Sequence, residues 1–231
     1  MAGKAVAKND VAELPDLVPT PAMDIGADDV ALGRLKIGQH MSPQVTDTNA
    51  KYGDIYSVMS KEDGDPQIVW EFGKEEANGQ SENKDKGLLF HVLDMYRGRS
   101  LETDGVLTLF DYNDPAAPPD AWITYNYFLC IPALDDYLPI KYILTKTGRQ
   151  AAQQMNTVLK RTAERGPMYL NAFELTAKKT SNDKGKYCVP IIRQVEATEE
   201  TVRLASDMTL MMQGRPDIKA NNMNVEDEPG I

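Results

Sequence analysis

Cysteine and histidine are scarce in this 231-residue chain, with two of each: Cys130 and Cys188, His40 and His91. Two cysteines cannot build a disulfide framework, and two histidines leave a Cys/His zinc site short of ligands. The same scarcity leaves a Ser/His or Cys/His nucleophilic centre few members. No stretch approaches the roughly 18 apolar residues that a membrane span needs. The opening MAGKAVAKNDVAELPD carries no apolar signal core, so the expected setting is a reducing cytoplasm with no membrane attachment. Phosphate-loop, dinucleotide-fold, zincin and nucleophile-elbow signatures are missing as well. The reading is therefore not an enzyme, with no cofactor and no metal. Cys130, inside the apolar run Tyr127-Phe128-Leu129-Cys130-Ile131, and Cys188, beside Tyr187 and Val189, read as small buried hydrophobes.

What is present is charge, unevenly distributed. The net charge is −10, which on average argues against a polyanionic partner. Residues 141–193 hold eleven basic residues against three acids (Glu164, Glu174 and Asp183), a local charge of +8 that leaves −18 for the remainder. Segregation of this kind says more about partners than the total does.

The chain organises into three parts. Residues 1–23, rich in Ala, Lys, Asp, Val and Pro without a sustained period, read as a mobile N-terminal arm. Residues 24–214 read as one mainly β domain with two helices, and residues 215–231 as an acidic flexible tail closing on Glu226-Asp227-Glu228. Within the domain, Leu35 and Ile37 alternate with polar neighbours as a short strand does. Strands are expected over residues 54–59, 67–72, 88–96, 105–112, 122–131 and 140–145, with Arg97-Gly98-Arg99 ending the third of these. A helix is expected from Thr147, where Thr147 and Gln150 match a capping box, to Gly166-Pro167. Strands over 168–178 and 186–195 flank the turn Ser181-Asn182-Asp183-Lys184-Gly185, and a last helix opens at Thr198-Glu199-Glu200.

From residue 88 onward the order is strands, one long helix, then a hairpin. That order suggests an OB-like Greek-key barrel with its helix between strands three and four, residues 53–72 forming an added pair. An α+β sheet with helices on one face has the same order. An OB barrel holds a single nucleic-acid strand in a basic groove whose aromatic rings stack on bases. Suitable residues are Lys141, Lys146, Lys178, Lys179, Lys184, Lys186 and Arg193 for phosphates, and Tyr142, Tyr169 and Tyr187 for bases. Arg149 and Arg161 extend the groove across the helix, while Arg97 and Arg99 line the opposite rim. Tyr142 shares its face with Ile140 and Leu144, the placement of a core residue.

The segment PIKYILTKTGRQAAQQMNTVLKR followed by PMYLNAFELTAKKTSNDKGKYCVPIIRQV resembles, in layout and charge, the single-stranded DNA-binding proteins of tailed bacteriophages, including the T7-like class. The resemblance implies an OB-fold protein that binds single-stranded DNA without sequence preference in phage DNA replication and recombination. It also implies replication or recombination proteins as partners through the acidic tail, and leaves a homo-oligomer open. Two rivals come from other classes. One is a phage interaction protein whose acidic half mimics nucleic acid to inhibit a host enzyme. The other is a small metal-dependent nuclease using Asp24, Asp28 and Asp29.

Overall fold

The computed structural model describes residues 32–58, 66–73, 86–103, 106–134, 138–183 and 185–214. The expected arm, the acids Asp24, Asp28 and Asp29, Lys184 and the acidic tail lie outside these residues. The elements are β1 (Arg34–Ile37), α1 (Pro43–Thr46), β2 (Ile55–Val58), β3 (Gln67–Trp70), β4 (Leu88–Thr103), β5 (Val106–Asp111), β6 (Trp122–Cys130) and β7 (Ile140–Leu144). They continue with α2 (Arg149–Thr162), β8 (Ala172–Asn182), β9 (Gly185–Val195) and α3 (Glu199–Gly214). The protein is mainly β, its sheet curled into a half-barrel with two long helices. Among the described residues no helix is long and apolar enough to cross a membrane.

One nine-stranded sheet runs β3-β2-β1-β7-β6-β4-β8-β9, with β5 also paired to β4. Every pairing is antiparallel except β1 with β7. The long strand β4 organises the rest. Along one edge it pairs with β6, and along the other its first residues take β8 while its last take β5. A bulge between Val92 and Asp94 bends it between these two duties. The expected end at Arg97-Gly98-Arg99 is corrected, because the strand runs on to Thr103. Gly98 continues it rather than breaking it: a Cβ there would stand 3.0 Å from both Phe110 O and Thr124 Oγ1, so glycine lets β5 and β6 approach.

Alternation along the strands sorts side chains to two faces. Inside the curl, Leu35, Ile55, Phe90, Val92, Tyr127, Leu129, Tyr142, Leu144, Phe173, Leu175 and Ile192 pack with Ala151, Ala152, Met155 and Leu159 of α2. On the outer face, Leu93, Phe128 and Cys130 pack with Leu32 and with Ala205, Met208 and Met212 of α3. Thr198 Oγ1 accepts the Thr201 N–H at 3.3 Å, a side-chain cap at the start of α3. At α2 the expected capping box is corrected. The chain enters through a 3-10 turn, Lys146–Gly148, and neither that turn nor α2 has a side-chain cap hydrogen bond. The strand expected from Met168 begins instead at Ala172, after another 3-10 turn over Met168–Leu170.

The curl is drawn together where β9 meets the chain beyond β1. Gln39 spends its side-chain amide on Cys188, donating from Nε2 to the carbonyl at 3.3 Å and accepting the Cys188 N–H on Oε1 at 2.8 Å. A side chain thus makes the two bonds that a neighbouring strand would make. The Tyr52 hydroxyl adds a donation to Tyr187 O at 2.9 Å. Burial raises the Cys188 thiol, and raises Cys130 to about 11, so both stay protonated near neutrality.

Candidate nucleic-acid interface

The cations expected to form one groove have four different fates. Lys141 is buried: 2 % of its surface is exposed, and β7 turns it to the outer face opposite Phe128. Desolvation first, and the charge of its β1 neighbour Arg34 second, lower its pKa to about 8. It is a core residue and is removed from the groove. Tyr142 is likewise buried, inside the curl, and its hydroxyl is pushed up by burial.

A second group is committed to protein partners. Arg193 on β9 pairs with Glu174 on β8, its Nε donating to Oε2 at 2.7 Å. Arg99 donates to the carbonyls of Pro118, Pro119 and Ala121 and so pins the loop before β6. Tyr169 packs under α3, where its hydroxyl accepts from Ser206 at 3.3 Å. Tyr187 is half-buried on the outer face of β9, opposite Thr180. Arg193, Arg99 and Tyr169 are corrected from ligand contacts to structural ones.

A third group stacks on aromatic rings. Lys179 Nζ lies 3.9 Å from the centre of the Phe72 ring and 4.8 Å from that of Tyr52. Arg97 lies 4.1 Å from the Tyr112 ring centre and 6.0 Å from that of Tyr125. Lys146 lies 3.7 Å from the Trp122 ring centre, on a backbone φ of 23°, in the left-handed region. Each such pair is worth about 0.5–1 kcal/mol where water reaches it.

The fourth group, Lys178, Lys186, Arg149 and Arg161, is exposed. Lys186 shares the inner face of the hairpin with Lys179. Since Lys179 faces Cys188 in the register, Lys186 is its diagonal neighbour. Lys178 points to the opposite side. By helical spacing Arg149 falls on the α2 face that carries Gln153, Asn156 and Lys160, with Arg161 beside it.

The Lys179 cluster is built by loops at the ends of β2 and β3. The buried Asp54 carboxylate accepts the Lys51 N–H at 2.9 Å on Oδ2 and the Phe72 N–H at 2.8 Å on Oδ1, tying the two loops together. Gly53, at φ 100°, lets Phe72 and Lys179 close over it; a Cβ would lie 2.9 Å from each. Trp70 meets Phe72 edge to face with ring centres 6.1 Å apart, and His40 meets Tyr52 at 5.6 Å. Phe72 keeps 36 % and Tyr112 39 % of their surfaces exposed, so ring area remains open to solvent in both clusters.

Tyr52, Trp70, Phe72, Tyr112 and Lys160 escaped the sequence reading. Lys160 had a local signal, the polar stripe at 149, 153, 156 and 160. The rings had none: Tyr52, Phe72 and Tyr112 meet their cations, and Trp70 meets Phe72, through the fold rather than through neighbouring sequence. Among the described residues no group of three or more His, Cys, Asp or Glu gathers as metal ligands would. Comparison with protein-family models, curated proteins and solved structures finds no match.

Proposed function

We propose that the protein binds single-stranded DNA without sequence preference, as an accessory of phage DNA replication and recombination. The observation that carries this reading is the pairing of exposed cations with exposed rings, above all Lys179 between Phe72 and Tyr52 with Lys186 beside it. A nucleotide in an unpaired strand offers a phosphate and an open π-face at once, so it suits both halves of each pair. Paired bases would hide that face, which favours single strands over duplex. The interface is narrower than the basic run suggests: Lys179, Lys186, Arg97, Lys146 and the α2 arginines, with Phe72, Tyr52 and Tyr112.

The path of the chain supports an OB-type reading of the barrel. Strands β4, β6 and β7, then α2, then β8 and β9 follow the OB order, with α2 after the third strand of that set and β4 shared between β6 and β8. The added strands β1 to β3 stand beyond β7, and Gln39 bridges from there to β9.

The test is a titration with oligo-dT followed by intrinsic fluorescence at two salt concentrations. Binding is expected to quench emission, and to weaken with a log–log slope of about −0.7 per phosphate contact. A chain that leaves oligo-dT unbound at every salt overturns the reading.

A further inference from the structure

A cleft opens between the inner face of the sheet and α2, away from the Lys179 cluster in sequence and in its contacts. Arg97 of β4 and Tyr125 of β6, directly opposite each other in the register, form one wall. Gln153, Asn156, Thr157 and Lys160, spaced on one face of α2, form the other. The cleft is a shallow depression open to solvent, with room of about 480 Å³. Two cations and no carboxylate line it. Tyr112 stacks on Arg97 from the outside and keeps part of its ring exposed.

One feature of the lining is held from below. The fully buried Tyr127 donates its hydroxyl to Asn156 Oδ1 at 2.9 Å. That bond occupies the acceptor end of the amide and leaves the Nδ2 donor for a ligand. The Thr157 hydroxyl spends its proton on Gln153 O at 2.7 Å. With the Arg97 fork and the Lys160 ammonium, the cleft presents donors over the largely buried Tyr125, with the exposed Tyr112 ring just outside the lining. Planar guanidinium donors suit phosphate oxygens, and the exposed ring suits a flat heterocycle.

We infer that this cleft is a nucleotide subsite, in which Arg97 and Lys160 hold a phosphate while the exposed Tyr112 ring, just outside the lining, takes the base. The inference rests on the nucleic-acid reading for its ligand class and on the cleft for its place. The shared chemistry is a phosphorylated nucleoside, which can come from a free nucleotide or from one unit of a strand.

Calorimetric titration of the full chain with dTMP, thymidine and inorganic phosphate tests it. The expected result is that dTMP binds at least tenfold tighter than thymidine or phosphate, since each lacks half of the ligand. R97Q is expected to weaken dTMP at least tenfold, R97K severalfold through loss of the planar fork, and K160Q severalfold. N156D, which adds a negative charge while preserving the acceptor for Tyr127, is expected to weaken dTMP as well. K178Q, on the outer face of the hairpin, is expected to leave dTMP binding unchanged. Equal binding of dTMP and thymidine, or wild-type affinity in R97Q, overturns the inference. Competition between dTMP and oligo-dT supports a strand as the source, with preference for a 5′-phosphorylated oligonucleotide marking a strand end. Binding of dTMP without competition supports a free nucleotide. Oligo-dT binding without dTMP binding removes the subsite and keeps the coating function; dTMP binding without oligo-dT binding does the reverse.

Discussion

Lys178 and Lys179 are adjacent in sequence and on opposite faces of the same hairpin, and the comparison of those faces explains most of the molecule. On the inner face Lys179 lies over Phe72 and Tyr52, with Lys186 as diagonal neighbour. On the outer face Lys178 stands opposite Val189, and Arg193 is neutralised by Glu174. Further along the outer face of the sheet Lys141 is buried altogether. A run of basic residues read along the chain therefore merges two populations, cations available to a ligand and cations absorbed by the fold. Strand alternation separates them.

The largest effect that can break this comparison is loss of the inner ring. Phe72→Ala removes a stacking surface worth about 1–3 kcal/mol per base, so oligo-dT affinity is expected to fall roughly ten- to hundredfold. Fluorescence titration at low salt reads it. Wild-type affinity in that variant would mean that the inner cluster is packing alone.

The buried outer cation gives the next effect, on stability. Lys141 binds its proton less tightly in the folded protein, at about 8 against an ordinary 10.5. Between those values the unfolded chain holds more protons, so stability rises as pH climbs through about 8. The gain between pH 8 and 9 is expected to be about 1 kcal/mol. Nearer pH 10 the trend is opposed. Tyr56, Tyr96, Tyr127 and Tyr142 are kept protonated by burial, while their unfolded counterparts ionise near 10. Urea unfolding at pH 8 and pH 9 is expected to show the rise in wild type and its absence in Lys141→Met. A flat wild-type profile would contradict the burial of this charge.

The hairpin is a shared support, and Gln39 sharpens the comparison by testing it. Gln39→Ala leaves the Cys188 amide and carbonyl without their side-chain partners. The expected cost is about 1–3 kcal/mol, by the usual penalty for unpaired buried groups. Cys188 should then react faster with a thiol reagent while Cys130, under α3, keeps its wild-type rate. Equal acceleration of both thiols would point to general loosening instead of a seam at β9.

Much of the fold was legible. The strands at 35–37, 55–58, 67–70, 122–130 and 140–144 follow from alternation and turn residues, and Cys130 and Cys188 are buried as their neighbours suggest. The misses have physical reasons. Arg97-Gly98-Arg99 has the composition of a turn, yet Gly98 sits in a strand because two neighbours crowd it. Thr147 and Gln150 match a capping box, but the 3-10 turn at Lys146–Gly148 supplies the helix entry instead. At the site, Lys178, Lys179 and Lys186 were visible as a basic hairpin, and Tyr142 carried its own warning in the face it shares with Ile140 and Leu144. That Tyr52 and Phe72 would meet Lys179 depends on Asp54 joining two loops and on the curl bringing them to β8. No local pattern encodes either.

The most direct measurement titrates oligo-dT against wild type and two charge-matched double variants, Lys179→Gln with Lys186→Gln and Lys178→Gln with Arg193→Gln. The inner pair is expected to lose at least tenfold in affinity and to flatten the salt dependence, while the outer pair stays within about twofold of wild type. Equal losses in both variants, or loss confined to the outer pair, would contradict the account.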